Sequence, residues 1–194
     1  MELMEQKIRK EGKVLPGGIL KVGSFLNQQI DTGFLSQVGG EIARLFQGAG
    51  VTKVLTIESS GIAIGAAAGM AMGVPMVFAK KHKTSNVDGN VYSTLVHSYT
   101  HNTDYTVVVS SDYLLPSDRV LLVDDFLANG RALMGLIDLV NQAGAELMGA
   151  ACAIEKGFQG GGDALRKMGI RVESLAIIDE MSDTGIRFRA EKQI

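Results

Sequence analysis

The 194-residue sequence contains few cysteine and histidine residues, and their low number excludes some kinds of site. It contains one cysteine, Cys152, so no disulfide can form within the chain, and a reducing cytoplasm is the simplest compartment. Because Cys152 lies in an apolar run, we expect it to be a buried structural thiol. With three histidines and a single cysteine, a zinc site is not expected.

Long hydrophobic runs and a strong excess of charge are also absent. The most apolar stretch, residues 62–77, contains glycine and proline and is too short to span a bilayer, and the charged N-terminus has no signal-peptide core. The formal net charge of −2 argues against a protein that binds nucleic acid through bulk basic charge. These features predict a cytoplasmic globular protein that has neither a membrane nor a nucleic acid as its partner.

What the sequence does have is an alternation of apolar, strand-length runs with helix-length segments. Strands are predicted at residues 51–57, 76–79, 91–100, 105–110, 120–123, 147–154 and 172–178, and helices at 62–72, 132–142 and 163–168. This alternation predicts an α/β fold with a mostly parallel central sheet, helices on both faces and ligands at the carboxyl ends of the strands. Residues 1–36 do not follow it, so we predict a small, partly irregular N-terminal hood (1–36) and a core domain (37–194).

The strongest functional signal is VLLVDDFLANGRA, at residues 120–132. An apolar strand leads into Asp124 and Asp125, and a turn with Asn129 and Gly130 then leads into a helix. The N–H groups of such a turn can bind phosphate, and glycine lets the backbone approach the anion. Carboxylates repel phosphate but accept hydrogen bonds from hydroxyls or hold magnesium. The pattern therefore predicts a ligand with a diol beside a phosphate, such as ribose 5-phosphate, whereas an ordinary Asp N-cap would explain one acid only.

Two further segments follow predicted strands. Residues 58–61 (ESSG) come after the first core strand, and small residues at such a turn expose N–H groups that suit a diphosphate. An ordinary N-cap turn is the alternative. Residues 80–83 (KKHK) come after the second strand, where cations can neutralise a diphosphate. A solvated run of charge is the alternative for this segment.

The segment at residues 120–132 resembles the signature of type I phosphoribosyltransferases. The resemblance extends along nearly the whole chain, through LKVGSFLNQQID (20–31), VTKVLTIESSGIA (51–63), VPMVFAKKHK (74–83) and IEKGFQ (154–159). It implies the type I phosphoribosyltransferase fold and transfer of ribose 5-phosphate to a purine. The flanking segments point to members of the family that use xanthine, with guanine or hypoxanthine as the alternative base. A regulator that senses ribosyl diphosphate and binds nucleic acid is a further alternative, although it would need a basic face or an added domain.

The resemblance also implies a role for each matching residue. The catalytic pair facing the ribose hydroxyls would be Asp124 and Asp125. The 5-phosphoribosyl 1-diphosphate would contact Ala128, Asn129, Gly130, Arg131, Ala132, Ser59, Ser60, Gly61 and Lys81. The purine would contact Leu20, Asn27, Lys156 and Phe158. Magnesium would be held mainly by the diphosphate rather than by a protein metal site, and a lysine reaching the neighbouring subunit would imply a homodimer.

The chain departs from the broader family pattern within the phosphate segment. Many members have hydroxyl residues where this chain has Asn129 and Ala132, and some purine enzymes have a carboxylate base at Ala128. Arg131 either compensates as a cation or points to solvent. Residues 82–104 match a mobile flap of the family, in which His101 is either a proton acceptor or an ordinary surface histidine.

Overall fold

A mixed eight-stranded sheet forms the centre of the computed structural model, which describes residues 1–82, 90–98, 103–182 and 185–190. The strands are β1 Lys13–Leu15, β2 Ile19–Lys21, β3 Lys53–Ile57, β4 Met76–His82, β5 Val91–Ser98, β6 Thr103–Ser110, β7 Arg119–Leu127, β8 Glu146–Lys156, β9 Val172–Ser182 and β10 Gly185–Phe188. The helices are α1 Glu2–Glu11, α2 Thr32–Leu45, α3 Gly61–Met72, α4 Arg131–Gln142 and α5 Gly161–Lys167, with a π-helical turn at Gly23–Asn27 and a 3₁₀ turn at Gly157–Gln159.

The order of the large sheet is β10-β9-β8-β7-β3-β4-β6-β5, and β1 and β2 pair separately. Strands β4, β3, β7, β8 and β9 are parallel, while β10, β6 and β5 add antiparallel edges. The predicted α/β fold with a mostly parallel sheet is therefore confirmed. The carboxyl ends of the parallel strands share one edge of the sheet, which we call the ligand edge.

Strand β7 runs through the middle of the core. Leu121 and Val123 pack with the apolar residues of α1, α2 and α3, whereas Val120 and Leu122 pack with those of α4. Helices thus cover both faces of the sheet, as predicted. The predicted strand end after residue 123 is wrong, because β7 keeps pairing with β8 as far as Leu127. The acidic pair therefore lies within the strand.

Close backbone contacts fix helix α3 relative to its neighbours. A Cβ atom at Gly39 of α2 would lie 2.5 Å from the carbonyl of Ala67 in α3, so the two helices touch through their backbones. At Gly61, the first residue of α3, a Cβ atom would lie 2.1 Å from the Thr56 hydroxyl on β3. Glycine at these two positions lets α3 begin directly at the ligand edge.

The N-terminal segment is more regular than predicted. Helix α1, the hairpin β1–β2 and the π-helical turn bury Met4, Ile8, Phe25 and Leu26 completely. The Asp31 carboxylate accepts the Phe34 N–H at 3.0 Å and caps α2, and α2 crosses the predicted boundary between residues 36 and 37. The hood is therefore only partly irregular, mainly at residues 16–18 and 28–31. Its division from the core domain stays a prediction.

Other expectations have mixed outcomes. Cys152 is buried in β8, as predicted, and burial raises the pKa of its thiol well above the ordinary value. Strands are present at residues 91–98 and 103–110, close to the predicted bounds, and these strands, β5 and β6, pair antiparallel. Of the predicted flap, residues 83–89 and 99–102 lie outside the described residues, and these include His101. Within the described ranges, no helix is long and apolar enough to cross a membrane.

Candidate active site

The predicted phosphate turn connects β7 to α4 at the ligand edge. Gly130 has φ 82° and ψ 2°, a left-handed conformation that favours glycine, and α4 begins at the next residue. The Asn129 Oδ1 atom accepts the N–H of Arg131 at 3.2 Å. A Cβ atom at Gly161, the first residue of α5, would lie 2.4 Å from the Ala128 carbonyl oxygen. The turn is thus shaped by local hydrogen bonding and supported by α5.

The acidic pair precedes this turn and is nearly buried. Asp124 and Asp125 are 6% and 7% exposed, and the Asp124 Oδ1 atom accepts the Asp125 N–H at 2.9 Å. Burial and then the charge of Asp125 raise the pKa of Asp124 well above its ordinary value, while the charge of Lys81 acts in the opposite direction. Two adjacent buried carboxyls are costly to the fold, so their place at the ligand edge indicates a binding function.

The predicted diphosphate loop begins at Glu58, which is joined to Ser59 by a cis peptide bond. The Glu58 carboxylate accepts the backbone N–H of Lys81 at 2.6 Å, and the Glu58 N–H donates to the Ala79 carbonyl at 3.0 Å. These bonds tie the start of the loop to β4. The loop and Lys81 therefore lie at the same part of the ligand edge.

Gly61 joins the diphosphate loop to the acidic pair. The Cβ atom that a larger residue would have here lies 3.2 Å from the Asp124 Oδ1 atom. It also lies against the Thr56 hydroxyl, whose oxygen is buried and has no hydrogen-bond partner among the described residues. An unpartnered buried hydroxyl at the start of α3 is consistent with a site that is completed by ligand or solvent.

Lys156 and Phe158, predicted to contact the purine, lie at the end of β8 and in the turn after it. The Lys156 Nζ atom donates to the Gly18 carbonyl of the hood at 3.0 Å and lies 5.7 Å from the centre of the Phe126 ring. Burial lowers the pKa of Lys156. Phe158 is 45% exposed, and its ring faces Gly18. The two residues and the hood therefore meet beside β7.

The two hood residues predicted to contact the purine occupy different surroundings. Leu20 is 6% exposed and belongs to the hydrophobic core, so most of its side chain is committed to packing. Asn27 is exposed, and its Nδ2 atom donates to the Asp125 carboxylate at 3.1 Å. Asn27 thereby brings the end of the hood to the acidic pair.

Sequence reasoning missed two aromatic residues at this site. Phe126 follows the acidic pair directly and could have been noticed as the aromatic residue inside VDDFLANG. Tyr105 on β6 lies with its ring centre 5.1 Å from the Lys81 Nζ atom. Burial and then the charge of Asp124 raise the pKa of Tyr105. Its local sequence is that of an ordinary strand, so nothing in it indicated the site.

These elements define an α/β protein whose ligand edge carries carboxylates that can accept hydrogen bonds from hydroxyl groups, followed by a glycine turn whose N–H groups can donate to phosphate. A family model described as the phosphoribosyl transferase domain matches residues 28–164. The chain therefore belongs to the phosphoribosyltransferase family.

Curated relatives match the chain along nearly its whole length. The xanthine phosphoribosyltransferase of Lachnoclostridium phytofermentans is 50% identical over 194 residues, covering 99% of this chain and 100% of the relative. Xanthine phosphoribosyltransferase 1 of Clostridium perfringens is 53% identical over 190 residues, covering 97% and 100%.

Solved structures share the fold at lower identity. APRTase from Giardia lamblia complexed with 9-deazaadenine has a TM-score of 0.77 and 24% identity, covering 92% of this chain and 98% of that one. The adenine phosphoribosyltransferase of Thermoanaerobacter pseudethanolicus has a TM-score of 0.72 and 21% identity, covering 90% and 98%. The predicted phosphoribosyltransferase fold is thus confirmed.

Proposed function

We propose that this protein is a xanthine phosphoribosyltransferase of purine salvage. It transfers the 5-phosphoribosyl group from 5-phosphoribosyl 1-diphosphate to N9 of xanthine, giving xanthosine 5′-monophosphate and diphosphate. The observation that carries the proposal is an identity of 50% and 53%, over nearly the whole chain, to relatives called xanthine phosphoribosyltransferases. The geometry of the ligand edge supports the same reaction.

In this proposal, residues 128–132 bind the 5-phosphate through their N–H groups, and the acidic pair accepts hydrogen bonds from the ribose hydroxyls. The negative charge of Asp124 and Asp125 also favours the positive charge that develops on the ribose as the bond to diphosphate breaks. Ser59, Ser60 and Gly61 donate to the departing diphosphate, and Lys81 neutralises part of its charge.

Magnesium accompanies the diphosphate in this proposal. Among the described residues, no group of three or more His, Cys, Asp or Glu side chains converges to hold a metal. The acidic pair offers oxygen ligands, which suits an ion that binds through one or two carboxylates together with substrate phosphates. When bound, the ion would stabilise negative charge on the diphosphate.

The purine would bind between the hood and β8. In the ligand-free protein, Lys156 donates to a carbonyl oxygen and Asn27 to a carboxylate oxygen. Both residues can offer the same donors to the two carbonyls of a dioxopurine, and Phe158 can stack on its ring. Xanthine is acidic enough to be partly anionic near neutral pH, which fits the absence of a carboxylate base at Ala128.

A homodimer and a cytoplasmic location remain proposals that accompany this function. A lysine of the segment 80–83 would reach the neighbouring subunit's site in such a dimer. Sedimentation analysis of the purified protein tests the dimer directly. A single species with the mass of one chain, at the concentration used for assays, would contradict it.

The test of the activity offers xanthine, guanine, hypoxanthine and adenine separately, with 5-phosphoribosyl 1-diphosphate and magnesium, and follows nucleotide formation. We expect the highest kcat/KM for xanthine. A folded Asp124→Asn/Asp125→Asn double variant serves as the inactive control. A higher kcat/KM for guanine or hypoxanthine would assign the protein to that base instead. Retention on a DNA column at moderate salt, without nucleotide formation from any base, would favour the regulator.

A further inference from the structure

Residues 156–160, here called the base loop, carry Lys156 and Phe158 and connect β8 to α5. Five charged residues pack behind this loop and form what we call the ion-pair cluster: Glu155, Asp163, Arg166, Asp179 and Arg189. They come from β8, α5, β9 and the segment after β10. The sequence analysis assigned no role to any of them, and none is part of the proposed chemistry.

The first anchor of the loop is the Glu155–Arg166 pair. Glu155 is fully buried immediately before the loop, and Arg166 of α5 donates to both of its carboxylate oxygens, at 2.9 and 2.7 Å. A Cβ atom at Gly162 would lie 2.1 Å from the Glu155 Oε1 atom. The Glu155 carboxylate therefore packs against the first turn of α5, and a partly buried ion pair joins β8 to α5, the two elements that flank the base loop.

The second anchor is Arg189. Its guanidinium donates to Asp179 on β9 at 3.0 Å and to Asp163 on α5 at 3.1 Å. At Gly157 of the base loop, a Cβ atom would lie 2.7 Å from the Asp179 Oδ1 atom and 2.9 Å from the Arg189 Nη2 atom. The ion pair thus packs directly against the loop backbone, between the two residues proposed to bind the purine.

The third contact reaches the phosphate turn. The Gly161 N–H, at the end of the base loop, donates to the Ala128 carbonyl at 3.1 Å. On the outer side, Asp163, Arg166 and Arg189 line a surface groove of about 410 Å³ that does not include the acidic pair. The cluster therefore supports the base loop from the side away from the ligand edge.

We propose that the ion-pair cluster positions the base loop relative to the phosphate turn, and that Arg189 is thereby a positioning residue for purine binding. This inference rests on the proposed function. Arg189 bridges carboxylates on α5 and β9, so its removal breaks this ion-pair link between the two elements at the point where the loop backbone packs against it. The phosphate turn keeps its place between β7 and α4 and its contact with Gly161, and α5 keeps its hydrogen bond from Arg166 to Val172 of β9, so the turn should keep its shape.

The first test is kinetic and uses the full-length protein. We expect Arg189→Gln to raise the KM for xanthine about tenfold, equivalent to ~1.4 kcal/mol. The KM for 5-phosphoribosyl 1-diphosphate should change by less than about twofold, because the phosphate turn is not released. Arg189→Lys should restore part of the xanthine KM, since one ammonium can serve one carboxylate but cannot bridge both as the planar guanidinium does.

Arg187→Gln is the matched control. Arg187 lies two residues away on β10 and pairs with Glu180, which is 71% exposed. Its Nη1 atom also lies 4.0 Å from the Asp179 carboxylate, beyond hydrogen-bond distance, so the same substitution removes mainly a surface ion pair and leaves both Arg189 hydrogen bonds in place. Both KM values should stay unchanged in this variant. Equal increases of the two KM values in a folded Arg189→Gln protein, or no increase in either, would overturn the inference.

Hydrogen exchange of residues 156–161, measured by mass spectrometry without ligands, separates this inference from the proposed function. Faster exchange in Arg189→Gln than in Arg187→Gln is expected even if the wild type proves to use another base. If the wild type forms no nucleotide, the proposed function fails. Unchanged exchange across 156–161 in Arg189→Gln removes the positioning role regardless of activity.

Discussion

The Glu155–Arg166 pair allows the contribution of burial to an ion pair to be measured within one protein. Arg44 and Glu41 on α2 also form a pair with two hydrogen bonds, at 2.8 and 2.9 Å, although Arg44 donates through Nε and Nη2 and Arg166 through its two Nη atoms. The glutamate side chains are 1% exposed for Glu155 and 23% for Glu41, and the arginine side chains 29% for Arg166 and 64% for Arg44. Arg166→Gln and Arg44→Gln therefore each break a doubly hydrogen-bonded pair, in surroundings of different burial, and Arg166→Gln also removes hydrogen bonds to Asp163 and to the Val172 carbonyl.

The structure gives the expected size of each effect. Removing one partner of a buried pair leaves an uncompensated charge and costs about 3–5 kcal/mol, against about 0–1 kcal/mol for an exposed pair. Arg166 is itself 29% exposed, so water can reach part of the vacated space, and we expect a loss near the lower end of the range. For a chain of this length about 3 kcal/mol corresponds to a decrease in Tm of roughly 6–12 °C.

Urea unfolding and thermal melting of both single variants measure the difference. A Glu155→Gln/Arg166→Gln double variant completes the comparison. It should be more stable than Arg166→Gln, because it has no unpaired buried charge. Equal losses for Arg166→Gln and Arg44→Gln would refute the reasoning, as would a double variant that is less stable than Arg166→Gln.

Three further predictions concern the ligand edge. The raised pKa of Asp124 means that the folded protein holds this proton more tightly than the unfolded chain, so ionisation of Asp124 destabilises the fold as the pH rises above the unfolded pKa. Asp124→Asn should therefore increase the midpoint of urea unfolding at neutral pH while abolishing turnover. This gain in stability should shrink toward pH 4. Gly130→Val should raise the KM for 5-phosphoribosyl 1-diphosphate far more than that for the purine, because Gly130 has φ 82°; an increase confined to the purine would mean that the turn is misassigned. Asn27→Ala should lower kcat/KM for xanthine by roughly 5- to 150-fold more than for hypoxanthine, which lacks the C2 oxygen. Equal losses for the two bases would indicate that Asn27 acts through Asp125 instead.

The sequence by itself determined the part of the candidate site that lies within one continuous segment of the chain. Residues 120–132 place a buried strand, two acids, a glycine turn and a helix in an order that the backbone must follow. A strand buried on both faces reads as a continuous apolar run, and left-handed turns favour glycine, so both signals are visible within a few residues. The same holds for the alternation that indicated a mostly parallel sheet.

Sequence reasoning was weaker for elements whose stability comes from distant partners. The hood contains short elements, such as β1 and β2 with three residues each, which give no useful periodicity. The length of β7 depends on pairing with β8 beyond the acids, and its own apolar run ends at Val123. Only the partner strand decided that the backbone stays extended as far as Leu127.

The tertiary structure also decided which side chains meet. Asn27 and Asp125 are 98 residues apart in the chain, and Lys156 and Gly18 are 138 apart. Arg189 reaches Asp163 across 26 residues. The sequence around a charged residue does not indicate its ion-pair partner, because that partner depends on how the strands and helices pack. The sequence therefore predicted the ribose phosphate site, whereas only the packed structure revealed that the hood contacts Lys156 and that ion pairs support the base loop.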